Sequence, residues 1–288
     1  MTDHTGTRVA AADVEHEAPR IVTRSGAGKF TADTWAVFTR EILLTLRDPF
    51  TLIFSLMQPL IFLGLFGPLL TGAFGSTMGF AGSGASPSTG DTLQWFVPGV
   101  IVMICLFGTS MTGSNLLYEV MTGSYERVLA TPLDRSAILV GRALKEFAPL
   151  LVQGLIIAGV CVPFGFRFHV VHALVGLVLL GVFGIGIGAL SHALALASKN
   201  REWLFWGVQQ SLLFPLLILS GMMLPLEAGP QWMQTASRFN PLTYMVDAER
   251  VLFAGRFDDS AVLWGVVAAV VTCAVGLAVG IRATRRTV

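Results

Sequence analysis

Six apolar stretches, each about as long as a membrane crossing, constrain the fold of this chain most strongly. A helix needs about 20 mostly apolar residues to cross the roughly 30 Å hydrocarbon core of a bilayer. None of the six stretches contains Lys, Arg, Asp or Glu. They lie at about residues 51–70, 96–117, 147–166, 170–197, 203–224 and 261–281. We therefore expect an all-α integral membrane protein with six transmembrane helices.

The composition agrees with an environment of membrane lipid. Of the 288 residues, 53% are hydrophobic and 13% are charged, whereas a soluble protein carries about a quarter charged residues. The formal net charge is only +1, so electrostatics gives no support for binding nucleic acid. The three cysteines stand in apolar runs without CxxC spacing, which argues against a metal site or a disulfide framework.

The basic residues are distributed unevenly along the chain. Fifteen of the 19 Lys and Arg residues precede the first span, follow the second or fourth span, or end the chain. The other four lie in the connections that follow the third and fifth spans, on the opposite side of the membrane. This bias predicts a multi-pass protein of the cell membrane with both termini cytoplasmic. Residues 1–30 are polar without a signal-peptide core, and we expect a disordered cytoplasmic tail there, followed by a transmembrane domain at 31–288.

Ahead of the first span, residues 31–47 show the periodicity of an amphipathic helix. Such a helix, placed directly before a span, is expected to lie in the membrane interface. Val37 falls on its otherwise polar side, so the helix is either a topological anchor only or also a contact for a cytoplasmic partner. The residues assigned to this interfacial helix are Trp35 and Phe38 on the apolar face and Arg40, Glu41 and Arg47 on the polar face.

The segment between the second and third spans, residues 118–146, is predicted to contain two short helices. Residues 124–130 have the pattern of a capped helix, which Pro132 breaks, and Asp134 caps a second helix running into the third span. Apolar Val128 stands beside charged residues, a mixture typical of docking surfaces. The alternative interpretation is that this segment is a solvated connector between the two spans.

The connection between the fifth and sixth spans, residues 225–260, has an interrupted helical pattern. Pro230 starts a first short helix, and Asn240-Pro241 interrupts the pattern before it resumes over 242–253. Broken helices that re-enter the membrane are tolerated where protein covers their free backbone groups. The pattern supports outer re-entrant helices and a plain surface hairpin almost equally.

Three sequence runs resemble those of the type-2 ABC transporter permeases, especially the daunorubicin-resistance exporter kind. They are GSYERVLATPLDR at 123–135, GMMLP at 221–225 and NPLTYMVDAER at 240–250. The resemblance covers about residues 35–282. It implies a permease that forms a homodimer, binds two copies of an ABC ATPase subunit and exports a hydrophobic drug, lipid or lipid-linked glycan. ATP and Mg²⁺ would then bind to the partner, and this chain would be neither an enzyme nor a carrier of a cofactor.

The resemblance also implies roles for particular segments. Residues 35–47 would form a connecting helix, and residues 225–255 would form re-entrant helices at the exit. The stretch 72–92, rich in Gly, Ser and Thr, has no assignable role in the family pattern and is predicted to be a flexible loop. The implied ATPase-coupling interface comprises Tyr125, Glu126, Arg127, Val128, Leu129, Thr131, Pro132 and Arg135.

Polar side chains within the spans should avoid lipid, which makes them candidates for the translocation path, together with nearby aromatic residues. Glycines four residues apart, at 184 and 188 and at 276 and 280, allow helices to approach closely. We expect them to pack within the chain rather than across a dimer seam. The candidate path residues are Gln58, Phe62, Phe66, Phe107, Thr112, Asn115, Gln209 and Gln210.

No ATP-binding sequence is evident. Residues 25–29, SGAGK, resemble a phosphate-binding loop but lack its first glycine and the Ser or Thr after the lysine. A secondary carrier without an ATPase partner is the alternative function. Such a carrier places an ionisable residue at mid-membrane, for which this chain offers only His169, His172 and His192. An intramembrane hydrolase has the least support, because its catalytic motifs are missing, and we expect neither catalytic residues nor a metal site.

Overall fold

The computed structural model describes residues 27–47, 49–76, 89–130, 133, 135–198, 201–223, 226 and 229–286. The described residues form helices joined by short connections. A short 3₁₀ helix at Val162–Phe164 follows α6. The helices are α1 (Ala27–Arg47), α2 (Pro49–Ser76), α3 (Thr89–Met121), α4 (Ser124–Leu129), α5 (Arg135–Lys145), α6 (Phe147–Cys161), α7 (Val170–Ala197), α8 (Glu202–Ile218), α9 (Gln231–Ser237), α10 (Pro241–Phe253) and α11 (Ser260–Arg286).

Among the described residues, four helical segments are long and apolar enough to cross a membrane. They are Thr89–Met121, Ser136–Phe164, Val170–Ala197 and Ser260–Arg285, and the second of them joins α5, α6 and the 3₁₀ helix. Helix α2 contributes a shorter apolar stretch at Ser55–Leu69, and α8 has 17 residues. All six predicted spans overlap helices. Four of these helical segments have the length and the apolar composition that a membrane crossing requires. The count of six therefore stays a prediction.

Two predicted boundaries are wrong. Helix α8 ends at Ile218 rather than near residue 224, because the Ser220 hydroxyl bonds to the Leu217 carbonyl at 2.6 Å and Gly221 turns the chain with a φ of 69°. The predicted loop at 72–92 is shorter, since α2 continues to Ser76 and α3 begins at Thr89. The predicted tail at 1–30 falls largely outside the described residues.

Helix α3 forms the centre of the bundle and packs against α2, α6, α7 and α10. Helices α7 and α11 approach each other closely through glycines. A β-carbon at Gly276 would overlap the Gly186 carbonyl group, and one at Gly280 would lie 3.0 Å from the Ala189 carbonyl oxygen. The prediction that these glycines pack within the chain is therefore confirmed.

Helix α10 is buried in the bundle between α3, α7 and α11. Its side chains Leu242, Met245, Val246 and Phe253 are each at most 1% exposed. This burial excludes a plain surface hairpin for α10. The segment lies outside the four candidate spans, so its helix is an internal element that the bundle covers.

Helix α1 packs against α5, and it does so with a face that its periodicity did not predict. Val37 is buried, and a β-carbon at Gly141 of α5 would lie 2.9 Å from it. Glu41, predicted on the polar face, is only 9% exposed, whereas Trp35 is 65% exposed. The reason is that α5 offers basic partners to Glu41, and these stabilise a buried carboxylate.

The bundle has a terminal end and a distal end. At the terminal end, α1, α4, α5 and the last turns of α11 meet, and a β-carbon at Gly280 would lie 3.2 Å from Leu139. At the distal end, the start of α3 meets the end of α10, where Gln94 Nε2 donates to the Phe253 carbonyl oxygen at 2.7 Å.

Candidate functional site

Five ionisable side chains form a charged junction at the terminal end, namely Glu41, Glu119, Arg142, Lys145 and Glu146. Arg142 Nη2 lies 2.6 Å from Glu119 Oε2, and its Nε lies 3.7 Å from Glu41 Oε1. Lys145 Nζ lies 3.1 Å from Glu41 Oε2 and 4.0 Å from Glu146 Oε1. The junction therefore ties α1, α3 and the α5–α6 connection together.

Burial makes the charged junction sensitive to the loss of any partner. The Arg142 side chain is 6% exposed and that of Glu41 is 11% exposed. Burial by itself raises the pKa of Glu41, but Lys145 and Arg142 outweigh it and hold the pKa below its ordinary value of 4.5. The carboxylate therefore stabilises the fold above about pH 4.5, and that stabilisation is lost as the pH falls through the lowered pKa.

Sequence reasoning missed most of this junction. Arg142 and Lys145 were counted among the basic residues that follow the second span and placed in the segment that leads into the third span, but no partner was predicted for them, and Glu119 was not singled out. Their spacing of three residues does place Arg142 and Lys145 on one face of α5. The acids that they meet come from α1 and α3, about a hundred and about twenty residues away in the chain, and no local pattern shows such pairs.

Helix α4 combines a buried anchor with an exposed charged edge. Tyr125 is 6% exposed and packs with Leu116, Leu196 and Phe205 of three other helices. Glu126 and the neighbouring arginine are exposed. A force applied to the exposed side of α4 would therefore reach α3, α7 and α8 through Tyr125. Of the remaining predicted interface residues, Thr131 and Pro132 lie outside the described residues, as do the side chains of Val128, Leu129 and Arg135.

Two cavities lie between α2, α3 and α6. One, of about 620 Å³, is lined by apolar residues nearer the distal end, among them Leu63, Leu93 and Phe164. The other, of about 230 Å³, is nearer the terminal end and is lined by polar side chains such as Asn115 and Glu146. The interface of these three helices is therefore apolar near the distal end and carries several polar side chains among apolar ones near the terminal end.

The predicted path residues do not converge on one cavity. Phe62 and Phe66 stack on each other at 5.2 Å between ring centroids, and Gln209 is buried on α8. Asn115 lines the smaller cavity. The remaining candidate path residues line neither of these two cavities. They are Gln58, Phe62, Phe66, Phe107, Thr112, Gln209 and Gln210.

A second polar cluster, the distal clamp, is formed by Asn240, Thr243 and Arg250. Asn240 Nδ2 donates to the Leu216 carbonyl oxygen at 2.7 Å, and Thr243 Oγ1 donates to the Leu219 carbonyl oxygen at 3.0 Å. These bonds satisfy carbonyl groups that the end of α8 leaves free. The clamp thus attaches the start of α10 to the end of α8.

Arg250 completes the distal clamp. Its Nε donates to the Trp95 carbonyl oxygen at 3.2 Å, and its Nη2 donates to that of Gly221 at 2.9 Å. The guanidinium also lies 3.9 Å from the Trp95 ring centroid, which adds a cation–π interaction. Arg250 therefore joins α10 to α3 and to the turn after α8.

Glu249 is a buried acid on α10 outside these clusters. It is 0% exposed, and its two carboxylate oxygens find no hydrogen-bond donor among the described residues. It packs against Gly176 of α7, where a β-carbon would overlap the carboxylate. Burial raises the pKa of Glu249 from 4.5 to about 8, so the folded chain holds this group protonated at neutral pH.

Replacing Glu249 with leucine is expected to stabilise the chain by about 1–3 kcal/mol at pH 8, because it removes an unsatisfied buried polar group. The wild-type chain binds a proton on folding between about pH 4.5 and pH 8, so its stability falls as the pH rises through that window. Thermal unfolding at a series of pH values measures both effects. Glu249→Gln is the control and should lack this pH dependence. An equal slope in that variant would contradict the assignment.

The three described histidines, His169, His172 and His192, do not form a metal site with the other described side chains. His192 is buried, with Nδ1 2.9 Å from the Gly188 carbonyl oxygen, and His172 stacks on Phe257 at 4.1 Å. Within the part of the chain that the structure describes, no group of three or more His, Cys, Asp or Glu side chains is placed to hold a metal ion.

The fold and its sites define a membrane-embedded, all-helical protein with a polar cluster at each end of an apolar bundle. The sequence profile of the ABC-2 type transporter family matches residues 32–254. The chain belongs to the ABC-2 type transporter family. It is therefore a transmembrane permease of the ABC transporter class.

Named relatives agree with this family. The daunorubicin resistance ABC transporter permease protein DrrB1 of Streptomyces coeruleorubidus is 30% identical over 75% of this chain and 74% of its own length. The probable doxorubicin resistance ABC transporter permease protein DrrC of Mycobacterium tuberculosis is 26% identical over 90% of this chain and 92% of its own. The putative transport permease ycf38 of Cyanophora paradoxa is 30% identical over 78% of this chain and 75% of its own.

Proposed function

We propose that this chain is the membrane-spanning subunit of an ATP-driven exporter that moves a hydrophobic or amphiphilic substrate out of the cell. A separate ABC ATPase subunit supplies the energy, with two ATPase copies bound to a homodimer of this permease. The chain crosses the membrane six times, with both termini in the cytoplasm. Family membership supports this proposal, as do the two relatives named for resistance to daunorubicin and doxorubicin.

The observation that carries the proposal is the construction of α4. Glu126 and Arg127 present charge outward, while Tyr125 is buried against other helices of the bundle. A docking helix needs both features, because it must bind a partner and transmit the motion of that partner. The apolar and charged residues at this position match the mixture found on protein interfaces.

The charged junction extends the route by which motion of the ATPase would pass from α4 into the bundle. Motion of α4 passes to α3, whose Glu119 pairs with Arg142 of α5. Helix α5 runs into α6 within one candidate span, and Glu41 of α1 pairs with Lys145. Closure of two ATPase subunits would thus move α1, α3 and α5 together, and rocking of the two permease copies would open the path outward.

Co-purification tests the proposal. The chain is co-expressed with the ATPase encoded beside it and purified through a tag on the permease alone. We expect stoichiometric ATPase to co-elute and to hydrolyse ATP faster when lipid is added. If the chain purifies without ATPase in mild detergent, the exporter proposal fails, and an ion-gradient transport assay then tests the secondary carrier.

Charge reversal on α4 is expected to uncouple ATP hydrolysis from export. In Glu126→Lys and Arg127→Glu, the exposed positions tolerate the change, so expression and membrane insertion stay at the wild-type level. Export by vesicles is expected to fall by about tenfold while hydrolysis continues, because interface charges set how the partner docks. The control is Glu202→Lys, which reverses an exposed charge at the start of α8. Unchanged export in both α4 variants would contradict the role of α4.

A further inference from the structure

The buried face of α10 contains one ionisable side chain. Leu242, Val246 and Glu249 follow one another at helical spacing, so they share one face of the helix, and each is at most 1% exposed. Among the buried residues of α10, Glu249 is the one that can carry a charge. An apolar side chain would be buried there at a lower free-energy cost than a carboxylate without a partner. Packing of α10 therefore does not account for an acid at this position.

Among the described residues, no group donates a hydrogen bond to the Glu249 carboxylate. The carboxylate packs against Gly176 of α7. On α10 itself, Arg250 Nη1 pairs with Asp247 Oδ1 at 3.6 Å, and the other guanidinium nitrogens of Arg250 donate to the carbonyl oxygens of the distal clamp. The titratable side chains on the helices packed against α10 are Cys105 of α3, which interacts electrostatically with Glu249, His172 of α7, one helical turn before Gly176, and Cys273 of α11.

These surroundings hold the Glu249 carboxyl in its neutral form. Burial raises the pKa of Glu249 from 4.5 to about 8, because ionisation in place would leave a charge without water or a counter-ion. A protein reduces that cost either by keeping the proton on the group or by moving the group to water. The ionised carboxylate and the buried position of α10 therefore disfavour each other.

Helix α10 is placed so that it can move while the candidate spans stay in position. It lies outside all four of them. The chain turns through left-handed glycines on both sides of the segment that holds α9 and α10, at Gly221 with a φ of 69° and at Gly255 with a φ of 78°. Small residues at such turns absorb large changes of backbone angle when a segment shifts. The distal clamp and the buried face of α10 hold this segment in the bundle.

We propose that Glu249 is a proton-binding site and that its bound proton keeps α10 packed between α3, α7 and α11. When the carboxyl O–H bond breaks, the proton passes to water at the distal end and the electron pair stays on the oxygen. The resulting carboxylate draws α10 toward water, and binding of a proton reverses the movement. This activity goes beyond export, since it makes the position of a helix at the distal end depend on proton concentration and requires neither ATP nor an ATPase.

Hydrogen exchange of the purified chain in lipid nanodiscs tests the movement of α10. Exchange is followed by mass spectrometry from about pH 6 to about pH 9. Each rate is divided by that of Glu249→Gln at the same pH, which removes the pH dependence of the exchange chemistry itself. We expect the ratio for α10 to rise about tenfold or more over this range, because loss of the proton favours the open position. The ratio for α5, at the terminal end, should stay constant.

Infrared spectroscopy of the same samples tests the bound proton directly, because a protonated carboxyl group has a C=O stretching band that an ionised carboxylate lacks. At about pH 7, the band of the wild-type chain is expected to contain a component that Glu249→Gln lacks. That component should disappear as the pH rises through about 8. Glu202→Gln removes an exposed acid and His172→Gln removes the neighbouring imidazole. Both controls should keep this component and the pH dependence of α10 exchange.

Three outcomes would overturn the proposal: a ratio for α10 that does not change with pH, exchange that rises equally in α5 and α10, or an infrared band that Glu249→Gln leaves unchanged. Size-exclusion chromatography shows whether each variant is folded, and Glu249→Leu provides a second comparison if Glu249→Gln is not. The assays contain no ATPase. Their failure would therefore overturn the proton site alone, and failure of co-purification would overturn the exporter proposal alone.

Discussion

Replacing Arg142 with alanine is expected to destabilise the chain by about 3–5 kcal/mol, the usual cost of removing one partner from a buried ion pair. Arg142 lies 2.6 Å from Glu119 and 3.7 Å from Glu41, and its own side chain is 6% exposed. Its loss leaves the three acids of the charged junction with Lys145 as the remaining base of that junction, and it removes the group that held α3 to α5. Heating the chain in mild detergent while following tryptophan fluorescence should show an apparent Tm lower by roughly 10 °C.

Three further variants make the Arg142 result specific. Arg127→Ala removes an arginine from the exposed side of α4 and should change the apparent Tm by less than about 2 °C. Arg142→Lys keeps the charge but lacks the planar fork that reaches two carboxylates, so an intermediate loss is expected. Adding Glu119→Gln to Arg142→Ala should recover part of the loss, because it removes one uncompensated acid. An Arg142→Ala variant as stable as Arg127→Ala would contradict the importance of the junction.

Replacing Arg250 with alanine is expected to produce a comparable loss, confined to the distal end. One side chain donates to the carbonyl oxygens of Trp95 and Gly221 and lies over the Trp95 ring. Hydrogen bonds from a charged group contribute about 1.5–3 kcal/mol, so we expect a total cost of about 3 kcal/mol. Hydrogen exchange followed by mass spectrometry should show faster exchange at the end of α8 and in α10, while α4 and α5 remain protected.

The matched control for Arg250 is Arg256→Ala, an exposed arginine in the connection after α10. It should leave both the unfolding temperature and the exchange pattern of α10 unchanged. Arg250→Lys should resemble Arg250→Ala more than wild type, because one ammonium group cannot reproduce the stacking and the two hydrogen bonds. Exchange that rises equally at both ends of the bundle in Arg250→Ala would show that the residue acts on global stability and not as a local clamp.

Local patterns predicted the helices of this chain well where the relevant physics is local. The predicted span at 170–197 has the same bounds as α7, because an uninterrupted apolar run ends at turns on both sides. The short helix predicted at 124–130 appears as α4, and Asn240 caps α10 through a bond from the Leu242 amide at 3.0 Å. Capping residues and prolines act on their immediate neighbours, so a single sequence is sufficient to recognise them.

The same patterns failed where the environment of a residue depends on distant parts of the chain. Glu41 was predicted on a polar face, yet it is buried against Lys145, which follows it by 104 residues. Glu249 was part of a recognised run, but nothing in that run shows that it would be buried against Gly176 of α7.

By itself, the sequence determined the all-helical class, the membrane environment and the family, because each of these depends on apolar length, charge content and short motifs. Only the tertiary structure decided which face of α1 is buried, how Arg142 and Arg250 each join three segments, and that Glu249 is buried without a hydrogen-bond donor among the described residues. Those features arise from contacts between helices far apart in the chain. The free energy of a charged or polar group depends on what surrounds it, and no local pattern records those surroundings.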